Sequence, residues 1–260
     1  MLRIETHDGV TCVGGKASLL GTSIPVWVYL IDGLLVDTGP YALKKPLVEV
    51  FSEHSLERVV LTHRHEDHAG LAAWLEQELG VDVLAPPSAI AELAAPARLP
   101  LYRRLIWGRR PGFSAQPIPG EIETAGHRFR VIAAPGHTKE HIVLFEPDTG
   151  WLFSGDVFVR STPVVAFAEE DMTELMRSLE SLLRLDVTML FCSHAGPLLE
   201  GHRALTEKLE KLEALRRRVG ELRSDGLPDA QIASRLFPKK SLVEVVSRGE
   251  WSRRRLIETL

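Results

Sequence analysis

Between Thr62 and Gly70 the chain reads Thr-His-Arg-His-Glu-Asp-His-Ala-Gly, which places His63, His65, Asp67 and His68 within six residues. Histidine makes up only 10 of the 260 residues, so this stretch concentrates metal-ligand types far beyond composition. Residues two apart on an extended strand end point to the same side, so His63 and His65 can aim at one point in space. Asp67 and His68 follow as the chain turns and can face a second point nearby. Downstream, single ligand types recur in Pro135-Gly136-His137, Ser154-Gly155-Asp156 and Cys192-Ser193-His194. Five histidines and two aspartates suit two divalent ions about 3.5–4 Å apart, the spacing of hydrolytic two-metal sites. Zinc is the first expectation for imidazole and carboxylate donors, with manganese or iron as alternatives.

Each of these ligands ends a short apolar run. Arg58-Val59-Val60-Leu61 reads as a buried strand before the histidine motif, and Leu71 to Leu79 reads as a helix after it. Arg128 to Ala133 alternates as a strand before His137, a hairpin of Ile142–Phe145 and Trp151–Phe153 leads to Asp156, and Thr188–Phe191 leads to His194. A site at the ends of several strands is the natural consequence. Upstream, Ser23–Ile31 and Leu34–Val36 form a predicted hairpin about Asp32-Gly33, followed by a helix from about Ala42 to Glu53. Val81–Leu84 is a further strand, and Asp171 with Glu174 three residues later caps a helix to about Leu185. Hairpins mixed with strand–helix alternation predict an α+β protein with helices packed over mixed sheets.

The chain resembles the metallo-β-lactamase superfamily, whose signature is H-x-H-x-D-H followed by a His, a bridging Asp and a final His. Here that pattern is His63-Arg64-His65-Glu66-Asp67-His68, then His137, Asp156 and His194. Val36-Asp37-Thr38-Gly39 is similar to the family's early turn, where the Asp supports the site from outside. The resemblance covers roughly residues 1–200 and implies an αββα sandwich. It departs at Ser193-His194-Ala195-Gly196, where relatives usually carry Gly before the final His. It further implies that His63, His65 and His137 hold one metal, that Asp67, His68 and His194 hold the other, and that Asp156 bridges them. A metal-bridging hydroxide, oriented by Asp67 as the catalytic carboxylate, would then attack a thioester, lactone or other ester. In relatives with this pattern His141 is not a ligand, so it is expected to be structural.

Phosphodiester or RNA hydrolysis on the same metals is the alternative, although Asp156 and His194 lie only 38 positions apart, without the large insertion of nucleic-acid-processing relatives. A different class is the persulfide dioxygenases, which would use one iron on His63, His137 and Asp156. The expected partner is a small molecule, with an anionic one suggested by Tyr102–Arg110, an aromatic-basic cluster inside a proline-rich stretch of about 86–126. Solvated, snorkelling arginines are the competing reading of that cluster.

A net charge of −4 argues against a generally nucleic-acid-coating surface. No apolar run approaches the roughly 20 residues of a membrane helix. Cys12 and Cys192 are too few for a disulfide framework, and with no secretory signal pattern they predict a cytoplasmic protein. Cys192 is expected to be a buried strand residue despite lying two positions before His194.

Past Leu199 the pattern changes. Leu205, Leu209, Leu212, Leu215, Val219 and Leu222 make one apolar stripe of a long helix that stops at Asp225-Gly226-Leu227-Pro228. Shorter helices are predicted at Gln231–Phe237, from the capping pattern Ser241-Leu242-Val243-Glu244, and from Trp251 to Leu260. The expected division is therefore a catalytic domain at 1–200 and a small all-α domain at 201–260, like that of glyoxalase II-like and endoribonuclease-like relatives. Residues 200–260 carry 14 Lys and Arg against 10 Asp and Glu, a mild excess that suits a homodimer surface or a lid as well as a nucleic acid.

Overall fold

A computed structural model describes residues 1–19, 22–239 and 242–260. The first sheet runs in simple sequence order: β1 (Arg3–His7), β2 (Val10–Leu19), β3 (Thr22–Ile31), β4 (Leu34–Val36), β5 (Arg58–Val60), β6 (Asp82–Ala85) and β7 (Gln116–Pro117). Its first four strands are antiparallel, and β4 to β7 are parallel. The second sheet contains β8 (Glu121–Glu123), β9 (Arg128–Ala133), β10 (Ile142–Glu146) and β11 (Trp151–Gly155), then skips the short β12 (Ala166–Phe167) to take β13 (Met189–Cys192) and β14 (Gly196–Leu198). Its order is β14-β13-β11-β10-β9-β8, with β11 and β13 parallel.

Alternation along the strands sends one set of side chains between the sheets and the other outward. Trp27, Tyr29 and Ile31 of β3 and Val60 of β5 face Phe129, Leu144, Phe153 and Phe191 across the inner core. Tyr29 stitches the two sheets: its ring meets Phe153 and Phe191 edge-on, and its hydroxyl donates to the Cys192 carbonyl at 2.6 Å. The outward set, including Val28, Leu30, Val59 and Leu61, packs under α1 (Lys44–Ser52) and α2 (Ala72–Leu79). Two short helices, α3 (Ile90–Leu93) and α4 (Leu101–Trp107), lie in the proline-rich stretch. On the far side α5 (Met172–Leu182) and α6 (Gly201–Ser224) cover the second sheet through Leu175, Leu179, Leu205 and Leu212. The result is the expected αββα sandwich.

The predicted hairpin of β3 and β4, the helix after it and the capped α5 are all present, and Asp171 accepts a hydrogen bond from the Glu174 N–H at 2.9 Å. Past α6 come α7 (Asp229–Leu236), α8 (Leu242–Val246) and α9 (Arg253–Glu258). Ser241, the first residue of the predicted capping pattern, lies outside the described residues. The last helix begins two residues later than the sequence suggests. Trp251 and Ser252 instead form β15, which pairs antiparallel with β12, and Ser252 then caps α9.

Candidate metal centre

The chain delivers its ligand types where the strands of the two sheets end side by side. After β5, the Thr62 carbonyl accepts from the Ile142 N–H at 3.0 Å, which ties the histidine motif to the start of β10. The Ser193 N–H donates to Gly155 O at 3.3 Å, which ties the residues after β13 to the end of β11. The result brings together every candidate metal ligand the sequence singled out. His63, His65 and His137 offer nitrogens within 4.8 Å of one another, as do donor atoms of Asp67, His68 and His194. Within the first group His63 Nε2 and His137 Nε2 each stand 3.0 Å from His65 Nδ1. Asp156 lies between the groups, with Oδ2 3.3 Å from both His137 Nε2 and His194 Nε2, and Oδ1 3.4 Å from His68 Nε2.

A divalent cation fits this arrangement. Buried polar atoms are almost always satisfied, yet His68 Nε2 and Asp156 Oδ1 are buried without a hydrogen-bond partner and face the same small volume. Electrostatics point the same way. Burial, then the neighbouring His68, His65 and His137 rings, holds the pKa of His63 well below its usual value and so keeps it neutral, as a ligand must be. Burial also lowers His65. For His68, His137 and His194 burial works against the charged form, but the facing carboxylates outweigh it. Asp156 and Asp67 push His194 up to about 9. Asp156, despite its burial, is held well below the carboxylate range by His194, His68 and His137. The local field therefore favours positive charge at this spot.

Outside the ligands a second set of groups fixes their orientation. Asp37 has φ +58, a left-handed geometry that Asp tolerates better than most residues. Its carboxylate accepts from the Thr62 N–H at 2.8 Å and lies 2.7 Å from His68 Nδ1, the supporting role expected of it. The His194 Nδ1 donates to Pro25 O at 2.7 Å. His141 is structural: its Nε2 accepts the Asp156 N–H at 3.0 Å. Cys192 is fully buried, and its sulfur accepts from the backbone N–H groups of His194 and Ala195. Gly196 supplies a close approach, because a Cβ there would stand 2.8 Å from the Trp27 indole.

Glu169 and Glu170 escape the sequence reading. The Glu170 carboxylate lies 2.6 Å from His137 Nδ1, and Glu169 lies 2.6 Å from His65 Nε2 while also pairing with Arg64. The acidic run Glu169-Glu170-Asp171 ahead of a helix was a faint signal, and only its capping member could be read.

The Tyr102–Arg110 arginines divide in role. Arg103 forms a two-pronged pair with buried Glu66, both contacts at 2.6 Å, and lies over the Phe167 ring. Arg110 is itself buried and donates to the carbonyls of Glu92, Leu93 and Ala95. These two are structural, while Arg104 and Arg109 remain exposed.

Comparison with known proteins agrees with this geometry. The profile of the Metallo-beta-lactamase superfamily matches residues 21–194. The chain therefore belongs to the metallo-beta-lactamase superfamily. It is a metal-dependent hydrolase, in a family that usually uses zinc. Among curated relatives, a probable metallo-hydrolase of Bacillus subtilis is 27% identical over 82% of this chain and 81% of its own length. A hydroxyacylglutathione hydrolase of Albidiferax ferrireducens is 31% identical over 70% of this chain and 69% of its own. Among solved structures, a metallo-beta-lactamase family protein of Thermus thermophilus superposes with a TM-score of 0.68 at 22% identity, over 96% of this chain and 90% of that one. That likeness speaks to the fold. Among the described residues no helix is long and apolar enough to cross a membrane.

Proposed function

We propose that this chain is a two-metal thioester hydrolase in which His63, His65 and His137 hold one divalent ion, Asp67, His68 and His194 hold the other, and Asp156 bridges them. The observation that carries the reading is the position of Asp156, whose carboxylate oxygens stand 3.3–3.4 Å from nitrogens of both groups. Zinc is the favoured ion, since the donor set is imidazole and carboxylate. Bound at these residues, such ions lower the pKa of water toward about 7 and polarise a carbonyl oxygen. The protein's own groups do the rest. Asp67, with Oδ2 3.5 Å from His194 Nε2 and a small exposed fraction, is placed to orient the attacking water and take its proton. Glu169 and Glu170 hold His65 and His137 so that one nitrogen of each ring is committed outward and the other faces the centre.

An aromatic wall suits an acyl group. Phe167 meets the His65 ring at 5.5 Å and Trp251 at 5.0 Å, and Trp107 lies 6.4 Å from His194. These rings would exclude water from the reacting carbonyl. Thioesters are favoured over other esters because relatives matched here are named hydroxyacylglutathione hydrolases.

The test is elemental analysis of protein purified without added metal, followed by turnover of a panel of thioesters, lactones and phosphodiesters. About two zinc or manganese ions per chain with thioester turnover is the expected result. One iron per chain with oxygen uptake and no hydrolysis would move the chemistry to His63, His137 and Asp156. Turnover confined to phosphodiesters would keep the metals and overturn the substrate.

A further inference from the structure

A cavity of about 340 Å³ opens on the outer side of α4, lined by Arg98, Arg104, Arg109 and Arg110 together with Pro96 and Pro111 among others. No acidic side chain lines it. Elsewhere around the metal centre the arginines are neutralised: Arg64 pairs with Glu92, Glu140 and Glu169, and Arg103 pairs with Glu66. In the cavity they are not. Arg109 donates to the Tyr41 hydroxyl at 2.6 Å with its guanidinium 4.6 Å from that ring, and Arg110 donates only to backbone carbonyls. Among the described residues Arg98 and Arg104 have no carboxylate partner, and Glu92, whose field reaches Arg110, is engaged by Arg64 at 2.9 Å. Three arginines without a carboxylate partner among the described residues, Arg98, Arg104 and Arg109, thus line one concave volume whose wall the buried Arg110 braces, in a chain whose net charge is −4.

The cavity is built rather than incidental. Arg110 is only 2% exposed and laces the segment at 92–95 to its own turn, reinforced by the Ala97 N–H donating to Arg110 O at 2.9 Å. Its Nε is buried with no acceptor. Fixed prolines and a pinned wall lower the ordering cost of binding. Arginine, with a planar fork of donors, is the residue that pairs with phosphate oxygens two at a time. Three such side chains exceed what one carboxylate would need and suit the several oxygens of a diphosphate.

We infer that this cavity binds a diphosphate group carried by the substrate, so that the substrate class is a thioester of a phosphorylated thiol. The reading rests on the hydrolase function proposed above. The wall between the cavity and the metal centre is α4 itself: Arg104 lines the cavity, Arg103 grips Glu66 of the histidine motif, and Trp107 lies beside His194. A helix with side chains is about 10 Å across, so a substrate anchored in the cavity would have to pass round α4 and reach at least that far to the metal centre. A single half-open concavity rather than an extended basic track favours a small ligand over a nucleic acid.

The experiment titrates inorganic pyrophosphate into the metal-loaded full chain by calorimetry, in wild type, Arg98→Ala and Arg104→Ala. Both positions are exposed, so the variants should fold, with thermal melting as the control. Pyrophosphate binding that weakens about tenfold in each variant is expected. No binding, or binding unchanged in both variants because the anion sits on the metals, overturns the site. Binding of an oligoribonucleotide but not pyrophosphate overturns it in favour of nucleic acid. A second arm compares the KM of an acyl-coenzyme A with that of the same acyl group on N-acetylcysteamine. A KM at least about tenfold lower for the phosphorylated thioester, with the advantage lost in Arg104→Ala, is expected. Equal KM values overturn the substrate assignment. If neither thioester turns over while pyrophosphate binding still depends on Arg98 and Arg104, the anion site stands and the thioester reading falls.

Discussion

Glu170 shows what a residue outside the ligand set contributes. Its carboxylate, 2.6 Å from His137 Nδ1, fixes which nitrogen of that ring faces the centre and raises its basicity. It also accepts the Phe167 N–H at 2.7 Å, so one side chain orders both a ligand and the aromatic wall. Glu170→Gln should therefore weaken metal binding by about 10- to 100-fold, read by competition with a chromogenic chelator. An unchanged affinity would show that Glu170 only braces the loop. Gly155 is a second residue whose identity the geometry explains. At φ +47 a Cβ there would stand 2.6 Å from His141 Nε2 and 2.8 Å from Thr62 Oγ1. Gly155→Ala should cost about 1–3 kcal/mol by urea denaturation and loosen the support of Asp156, because the backbone is strained and the neighbours are themselves buried. A midpoint equal to wild type would contradict this.

Among the elements, α5 and α4 are tied to the site by polar contacts at their ends. Asp171 caps α5, and its own N–H donates to Gly136 O at 2.7 Å, next to His137. Asp171→Ala should cost about 1 kcal/mol of stability, the usual loss of an N-cap. On α4 the contact is harsher. Glu66 is buried, and Arg103 is the cation that compensates it. Arg103→Met should destabilise by about 3–5 kcal/mol because it strands a buried charge. Denaturation curves would check both, with the second loss expected to be several times the first. These elements also mark how far local pattern reaches. The cap of α5 was readable because both partners lie three residues apart. Arg103 and Glu66 are 37 positions apart, and nothing in the spacing announces their pairing.

For the whole molecule, the C-terminal segment is structural cement. Leu205, Leu212 and Leu256 complete the core cluster under the second sheet, and β15 pairs with β12 beside the aromatic wall. Truncation after Leu199 should therefore give a chain that fails to melt cooperatively, and a cooperative transition near the wild-type temperature would refute this. Lys208 of α6 adds a pH signature. Its ammonium is buried and donates to Val157 O and Phe158 O, and burial lowers its pKa to about 8 from 10.5. The folded state releases this proton before the unfolded state does, so the residue's contribution to stability rises with pH between about 8 and 10.5. Relative to Lys208→Met, wild type should gain on the order of 3 kcal/mol across that window. Parallel denaturation profiles for the two proteins would rule this out.

The candidate ligands were legible from sequence, because ligand types are rare and each followed a short apolar run that reads as a strand, while the sandwich was implied only by the resemblance to the metallo-β-lactamase superfamily. Asp37 and His141 were assigned supporting roles from sequence, on the pattern of relatives, and the described geometry agrees. Glu169 and Glu170, the Arg103–Glu66 pair and the pairing of Trp251-Ser252 with Ala166-Phe167 were not legible. Each depends on two distant segments meeting, and an acid or an arginine on a surface-like stretch looks the same before they do. The arginine cluster makes the point most clearly. Local pattern offered Tyr102–Arg110 as one basic patch. Folding divided it, spending Arg103 and Arg110 on buried partners and leaving Arg104 and Arg109, with Arg98, around a cavity. The candidate ligands were written in residue types and spacing, while which arginines stay unpaired around the cavity was set only when the loops closed, because side-chain neutralisation is a matter of distance in space and not along the chain.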